Sequence, residues 1–254
     1  MADLRSWCAV EEPAPVGEHL AGVLESFDET TGVAILSAEL PHLYAKSEAL
    51  ARIAARLGKR AVAVHLRNKL PTKASARSGD IGEILATAYL REEQGYVVGP
   101  SRLIDRDHQE WAMRGDDALG AKLDPDGNVR IVKAEAKSRV KLGKGTIAEA
   151  REGLARDNEL PSPQSLAQFA ERLLSTDDVE IGIAVSAMQR DETIRPHNVN
   201  HLMFLFTSSN PSQHVIADLE EYEGAVAQLT ITLRVQEHQK FIKGAYEKVI
   251  SDGS

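Results

Sequence analysis

Residues 128–140 read NVRIVKAEAKSRV, in which the first apolar residues are β-branched and charged residues recur at alternate positions. This pattern is typical of a β-strand. The run EWAMRGDDALGAKL (110–123) is also strand-like, and the turn-forming residues DPDG (124–127) separate the two. The sequence therefore predicts a β-hairpin, and the rest of the fold can be placed around it.

Helical and strand patterns interleave on both sides of this hairpin. Upstream, DIGEILATAYLREEQ (80–94) has the apolar spacing of a buried helix that Ser78 or Asp80 would cap. Before it, a helix from Tyr44 that stops at Gly58 and a strand AVAVHLR (61–67) are expected. The other expected elements are strands at 95–99, 180–188, 201–208 and 228–235, and helices at 145–157, 163–174 and 239–250. This order predicts an α/β fold in which helices flank a mixed sheet.

Composition excludes several classes of protein. The 254 residues are 43% hydrophobic and 27% charged, which fits a globular chain with a sizeable core. Cys8 is the single cysteine, so neither a disulfide partner nor a cysteine zinc site is expected. No apolar run approaches the roughly 20 residues of a membrane span, and the start of the chain lacks the core of a signal peptide. We therefore expect a cytoplasmic protein without a membrane partner.

The charge is distributed unevenly along the chain. The net charge of −8 disfavours strong binding of the whole surface to nucleic acid. The segment 44–78, however, contains nine lysines and arginines and one acid, Glu48. It is either a solvated basic face or a surface that contacts DNA phosphates, in which case the contacts would include Arg52, Arg56, Lys59 and Arg60.

The chemistry-bearing residues lie in the predicted hairpin. Glu135 and Lys137 are two residues apart and share one face of a strand. The preceding strand carries Asp116 and Asp117, one of which can lie beside Glu135. A pair of carboxylates suits a hard cation such as Mg²⁺, which takes its remaining ligands from water and a substrate phosphate. A lysine beside it can orient a water molecule and stabilise negative charge.

Three further features have two interpretations each. Glu83 is the one charged side chain in IGEILATAYL, and it either forms a capping box with Asp80 or joins the site as a partner of the metal or the lysine. Basic residues that follow the second strand are either ordinary surface residues or contacts to the cleaved DNA strand: Arg139, Lys141 and Lys144. His197 and His201 have the i, i+4 spacing of a metal pair, but the surrounding loop pattern favours surface residues.

The set Glu83, Gly115-Asp116-Asp117 and Glu135-Ala136-Lys137 resembles the PD-(D/E)xK nuclease superfamily over about residues 78–190. With the surrounding SGDIGEILATAYL, MRGDDALG and EAKSR, the chain is similar to the HamA nuclease family of the Hachiman antiphage defence system. The resemblance implies a restriction-endonuclease-like fold with an N-terminal extension. We expect the nuclease-like domain over 76–254 and an N-terminal region, 1–75, without an assigned role.

The same resemblance implies an activity and a partner. It implies a Mg²⁺-dependent deoxyribonuclease, with Mn²⁺ able to substitute, that works with a superfamily-2 helicase, HamB. By position, Glu135 becomes the metal-binding glutamate, Lys137 the catalytic lysine and Glu83 the glutamate of the first helix. The aspartate of the Gly-x-Asp pattern becomes Asp117, the preferred metal ligand. Because the literal Pro-Asp is absent, Asp116 stays an alternative.

Two rival functions follow from the same residues. The chain would be a non-catalytic docking or regulatory subunit of a helicase if the acidic set were merely structural. It would be a stand-alone structure-specific or RNA-directed nuclease if no helicase were involved. The net charge of −8 favours a nuclease that a partner brings to DNA, because a lone nuclease needs strong nonspecific affinity.

Overall fold

The computed structural model describes residues 2–111 and 114–252. The chain forms an α/β fold with one mixed sheet flanked by helices, which confirms the predicted fold class. The described strands are β1 (Cys8–Val10), β2 (Ala14–Val16), β3 (His19–Ser26), β4 (Ala118–Leu123), β5 (Val129–Ser138), β6 (Val199–Thr207) and β7 (Ala227–Arg234). The described α-helices are α1 (Glu29–Tyr44), α2 (Ser47–Leu57), α3 (Lys59–Arg67), α4 (Ala74–Glu92), α5 (Lys144–Ala155), α6 (Pro163–Leu173), α7 (Val179–Arg190), α8 (Ser212–Glu221) and α9 (His238–Asp252).

The predicted hairpin is present as β4 and β5. The two strands pair antiparallel from Ala118 opposite Ala134 to Leu123 opposite Val129. The side chain of Asp124 accepts hydrogen bonds from the backbone of Asp126 and Asn128, which holds the turn. The first strand begins at Ala118, later than the sequence suggested, and residues 112 and 113 of the predicted strand lie outside the described residues.

The centre of the sheet is parallel and buried on both faces. Its strand order is β1-β3-β7-β6-β5-β4, with β2 also paired to β3. The pairs β5–β6, β6–β7 and β7–β3 are parallel. Strand β6 reads VNHLMFLFT and is buried at every position except Asn200, as expected for a central parallel strand covered by helices. Helices α5, α6, α7 and α8 pack on one face of the sheet. Helices α1, α4 and α9 share a core with the opposite face.

Two predicted strands are helices. AVAVHLR (61–67) lies in α3, and EIGIAVSAM (180–188) lies in α7. In α3 the buried residues are Ala63 and Leu66, and in α7 they are Gly182 and Val185, so each element buries positions three apart. The strand prediction was wrong because a short apolar run fits the residue period of a helix as well as that of a strand. Packing against a neighbouring element decides between the two.

The start of α4 also differs from the prediction. The helix begins at Ala74, so Ser78, Asp80 and Glu83 all lie within it and none caps it. Just before the helix, the distant Glu110 accepts hydrogen bonds from the backbone N–H groups of Thr72 (2.7 Å) and Lys73 (3.1 Å). The capping-box interpretation of Glu83 is therefore wrong, because the helix begins six residues before Asp80 and Glu83 lies in its interior.

The N-terminal region contributes to the same sheet. β3 pairs in parallel with β7, from Leu20 opposite Leu229 to Glu25 opposite Arg234, and β1 and β2 flank it. A boundary at residue 76 would thus divide one continuous sheet. Among the described helices, none is both long enough and apolar enough to cross a membrane.

Candidate active site on the β4–β5 hairpin

Glu135 and Lys137 lie near the end of β5 and contact each other. Lys137 Nζ donates to Glu135 Oε1 at 2.6 Å. The Glu135 side chain is 9% exposed and that of Lys137 is 18% exposed, so the pair is largely shielded from water. Burial and the negative charge of Asp117 raise the pKa of Glu135, while Lys137 opposes this shift. The strand alternation predicted this pair correctly.

Asp117 completes the cluster from the turn before β4. Extending the register of Ala118 and Ala134 by one residue brings Asp117 level with Glu135. Its Oδ2 accepts a hydrogen bond of 2.9 Å from the backbone N–H of Ala136, the residue between Glu135 and Lys137. The hairpin therefore brings Asp117 to Glu135 and Lys137, which lie 18 and 20 residues further along the chain.

Asp116 has other partners. Its Oδ2 accepts from the backbone N–H of Ser162 at 2.9 Å, and its Oδ1 lies 3.7 Å from the Nζ of Lys133. Both aspartates precede the strand, so the turn rather than strand alternation sets their directions. Gly115 permits this turn, since its φ is +95° and a Cβ there would overlap Ser165 Oγ. The structure thus brings Asp117, but not Asp116, to the Ala136 backbone beside Glu135.

Glu83 of α4 is linked to the carboxylate cluster through Arg102. Its Oε2 accepts from Arg102 Nη2 at 2.8 Å and from Nε at 3.1 Å. Arg102 Nη2 also lies 3.6 Å from Asp117 Oδ1, and Nη1 donates to the Asp116 carbonyl at 2.6 Å. Burial raises the pKa of Glu83 to about 8, although Arg102 acts in the opposite direction. The side chain that pairs with Glu83 is thus Arg102, whereas the sequence predicted either the metal or the lysine as its partner.

Arg102 and Lys133 were both missed from the sequence. Arg102 lies in the irregular stretch PSRLIDRDHQ, where no periodicity marks it. Lys133 lies on β5 and is 1% exposed, and its Nζ donates to the carbonyls of Arg156 (2.8 Å) and Leu160 (2.9 Å). A charged residue within an apolar strand was a usable signal for Lys133, whereas Arg102 depends on a loop that only the tertiary structure places.

Helix α5 packs directly against the Glu135 side chain at Gly153. A Cβ at this position would overlap the carboxyl group of Glu135. The helix therefore approaches the strand so closely that only glycine leaves room for the carboxylate. A glycine inside a helical pattern is a sequence signal for such a close approach.

Two carboxylates of the cluster fit a magnesium ion as ligands. Among the described residues, no three acidic, histidine or cysteine side chains converge into a ready-made cage. Asp117 and Glu135 supply two carboxylates in a confined space, and Mg²⁺ commonly uses one or two carboxylates together with water and substrate phosphates. These two residues would hold the ion.

The predicted DNA contacts fall in two places. Arg139, Lys141 and Lys144 are exposed on the segment that leaves β5 just beyond Lys137. The four basic residues of the N-terminal region are exposed on α2 and α3: Arg52, Arg56, Lys59 and Arg60. Of the two histidines predicted at the surface, His197 is exposed, but His201 is buried in β6, so the prediction was wrong for His201.

The fold and the cluster define an α/β protein with an acidic and lysine site on the antiparallel hairpin of a mixed sheet. A family model described as HamA matches residues 6–249, and the chain belongs to the HamA family. The resemblance found in the sequence is thereby confirmed at the family level. A curated relative, Hachiman protein HamA of Bacillus cereus, is 24% identical over 177 residues. The match covers 70% of this chain and 62% of the relative.

Proposed function

We propose that this chain is a metal-dependent deoxyribonuclease that serves as the effector subunit of a Hachiman antiphage defence complex. The observation that supports this most directly is the cluster of Asp117, Glu135 and Lys137 on one hairpin, with Lys137 Nζ 2.6 Å from Glu135 Oε1. A buried group of like charges with a lysine is costly unless it serves a function or is fully paired. Membership of the HamA family supports the defence role.

Each residue has a role in phosphodiester hydrolysis. The Ala136 N–H positions Asp117, and the close approach of α5 at Gly153 positions Glu135. These two carboxylates would bind the metal. Mg²⁺, when bound, would neutralise charge on the scissile phosphate. Lys137 would orient the attacking water and stabilise the negative charge that develops on the phosphate oxygens. Arg102 would hold Glu83 and the turn at Asp116 in place.

The proposed partner is a superfamily-2 helicase of the HamB type. The net charge of −8 supports a partner that delivers DNA, because nonspecific DNA affinity comes mainly from phosphate contacts with Lys and Arg. The local basic groups on α2 and α3 and after β5 would then contact DNA that the helicase presents. The substrate is DNA, and its phosphodiester bond is hydrolysed at the carboxylate and lysine cluster on the β4–β5 hairpin.

The test is cleavage of plasmid DNA by the purified chain, alone and with its helicase, in Mg²⁺ or Mn²⁺. EDTA should stop cleavage. Glu135→Gln, Lys137→Ala and Asp117→Asn should each reduce the rate about 10²-fold or more, as expected for the loss of a key electrostatic group. Matched surface variants, Glu149→Gln and Lys243→Ala, remove the same charges from exposed positions and should cut like the unmodified protein.

Melting temperatures separate lost chemistry from lost folding. If the three site variants keep full activity at an unchanged melting temperature, the site assignment is wrong. If the unmodified protein with its helicase cuts no DNA in either metal, the non-catalytic subunit becomes the better interpretation. An inactive Asp116→Asn variant that folds normally, beside an active Asp117→Asn variant, would exchange the roles of the two aspartates.

A further inference from the structure

A cavity of about 240 Å³ adjoins the candidate active site. Its walls come from α1, α4 and α6, from the loop at 98–103 and from the residues that lead into β4. Glu83, Arg102 and Asp117 are part of its lining, so the cavity and the carboxylate cluster share a wall. Nothing in the proposed hydrolysis uses the remainder of this space.

The polar lining of the cavity carries both signs of charge, because three arginines lie among four carboxylates: Glu39, Glu83, Asp116 and Asp117. Glu83 and Asp117 lie against Arg102, and Asp116 lies near Lys133. Arg172 of α6 and Arg91 of α4 line the cavity together with Arg102. The Nε of Arg172 is buried and has no hydrogen-bond partner in the part of the chain that the structure describes. A buried donor without a partner is costly, and a ligand oxygen would satisfy it. Arg102 already donates to Glu83 and to the Asp116 carbonyl, and Arg91 is exposed beside Glu92. Arg172 is therefore the lining guanidinium with a buried spare donor.

Arg172 has a like-charged neighbour in Arg102. Burial lowers the pKa of Arg172, and the positive charge of Arg102 lowers it further. Asp105 and Glu171 act in the opposite direction without removing the shift. A phosphate between the two guanidinium groups would relieve their repulsion and form charge-assisted hydrogen bonds.

Part of the cavity lining is apolar. Leu36 and Leu43 of α1, Ile84 of α4, Val98 and Leu119 line it. Small-molecule sites commonly combine such walls with a few polar groups and measure about 300–1,000 Å³. A cavity of about 240 Å³ is slightly smaller, so it suits one nucleotide and excludes a duplex.

We propose that this cavity binds a single nucleotide, with its phosphate on Arg172 and its base against the apolar wall. This role rests on the proposed nuclease function: a nucleotide held beside Asp117 would set which phosphodiester bond of the DNA strand reaches the carboxylates. The same chemistry has two sources, the 5′-phosphorylated end of a DNA strand and a free nucleoside monophosphate.

Binding is measured in EDTA, so that no cleavage occurs and the result does not depend on nuclease activity. The full-length chain is titrated calorimetrically with thymidine 5′-monophosphate and with thymidine. We expect the phosphorylated ligand to bind at least 10-fold more tightly. Arg172→Gln should remove this preference, while Arg190→Gln, which deletes the same charge from an exposed position of α7, should leave it unchanged.

A second measurement distinguishes the sources. Short single strands with a 5′-phosphate or a 5′-hydroxyl compete with thymidine monophosphate for the chain. Competition that requires the 5′-phosphate identifies the strand end as the ligand, and binding of the monophosphate without competition identifies a free nucleotide. Both results support a nucleotide site.

The proposal fails if the unmodified protein binds thymidine monophosphate no better than thymidine and binds no strand in a phosphate-dependent way. It also fails if Arg172→Gln, folded by its melting curve, binds as tightly as the unmodified protein. Because the unmodified protein alone gives the first comparison, the test stands even if the variant unfolds. Cleavage without phosphate-dependent binding refutes this site alone, and binding without cleavage refutes the proposed nuclease alone.

Discussion

At the scale of single residues, the absence of a side chain at Gly153 shapes the site as much as the charged groups do. A methyl group there would overlap the Glu135 carboxylate, which has β5 on one side and α5 on the other. Helix interiors normally prefer alanine to glycine by about 0.5–1 kcal/mol. The glycine therefore gives up helix stability in return for room at the site.

We predict that Gly153→Ala lowers DNA cleavage at least 10-fold and weakens Mg²⁺ binding, although it removes no ionisable group. The added methyl would displace Glu135 from its position beside Asp117 and Lys137. The measurements are plasmid cleavage and Mn²⁺ binding followed by electron paramagnetic resonance.

Gly145→Ala is the matched control, because Gly145 lies in the same helix and a Cβ there would meet nothing within 4 Å. It should cleave DNA and bind Mn²⁺ normally. Normal cleavage by Gly153→Ala would show that Glu135 has freedom to move and that the close approach of α5 does not matter for the chemistry.

At the scale of elements, α2 and α3 form a basic helical pair on the surface. Arg52 and Arg56 lie on α2, Lys59 and Arg60 begin α3, and all four are exposed. Leu57 and Val64 on the same pair are also exposed, at 71% and 49%. The pair therefore presents a mixed basic and apolar face to its surroundings.

We predict that charge reversal of Arg52, Arg56, Lys59 and Arg60 weakens DNA binding and flattens its salt dependence. Each phosphate contact that is lost should reduce the slope of log affinity against log salt by about 0.9. Fluorescence anisotropy with a labelled duplex in EDTA over a range of salt concentrations gives the slope.

Reversal of four other exposed cations, Arg190, Arg195, Lys240 and Lys243, changes the net charge equally and serves as the control. It should change the slope less than the α2–α3 variant does. Equal slopes for both variants would mean that the basic pair makes no particular DNA contact. Loss of helicase binding on a sizing column with unchanged DNA affinity would make the pair a protein interface.

At the scale of the whole molecule, two buried histidines link stability to pH. His201 of β6 and His238 at the start of α9 are each 1% exposed. Burial lowers the pKa of both to about 4. His238 Nε2 shares a hydrogen bond of 2.9 Å with Ser138 Oγ, so it connects the last helix to the end of β5.

We predict that the free energy of unfolding falls as the pH drops from about 6.5 towards about 4. In this window the unfolded histidines bind protons and the folded ones do not, so acid favours unfolding. The stabilisation is complete above the unfolded pKa and is lost as the pH falls through the folded pKa. Urea unfolding at a series of pH values measures it.

Because protonation of carboxylates also destabilises the fold in acid, the comparison between variants is decisive. The double variant His201→Gln, His238→Gln should be less stable at pH 7 but should lose less stability on acidification. His197→Gln alters an exposed histidine and should keep the original pH dependence. An unchanged slope in the double variant would contradict the assignment.

Much of the fold and part of the site followed from local sequence patterns. The hairpin, the neighbouring faces of Glu135 and Lys137, strands β6 and β7, and helices α5, α6 and α9 were all predicted. Each depends on the period of the backbone or on turn residues that act over a few positions. The motif spacing also sufficed for the family, which the comparison confirmed.

The tertiary structure decided what depends on distant partners. The runs at α3 and α7 fit both a strand and a helix, and packing selected the helix. Glu110 contacts the backbone just before α4 across more than 30 residues of sequence, and β3 pairs with β7 across about 200 residues. Arg102 reached Glu83 from an irregular loop, and the turn at Gly115 directed Asp117 rather than Asp116 to the Ala136 backbone beside Glu135. No local period encodes such contacts, because they form only when the chain closes long loops.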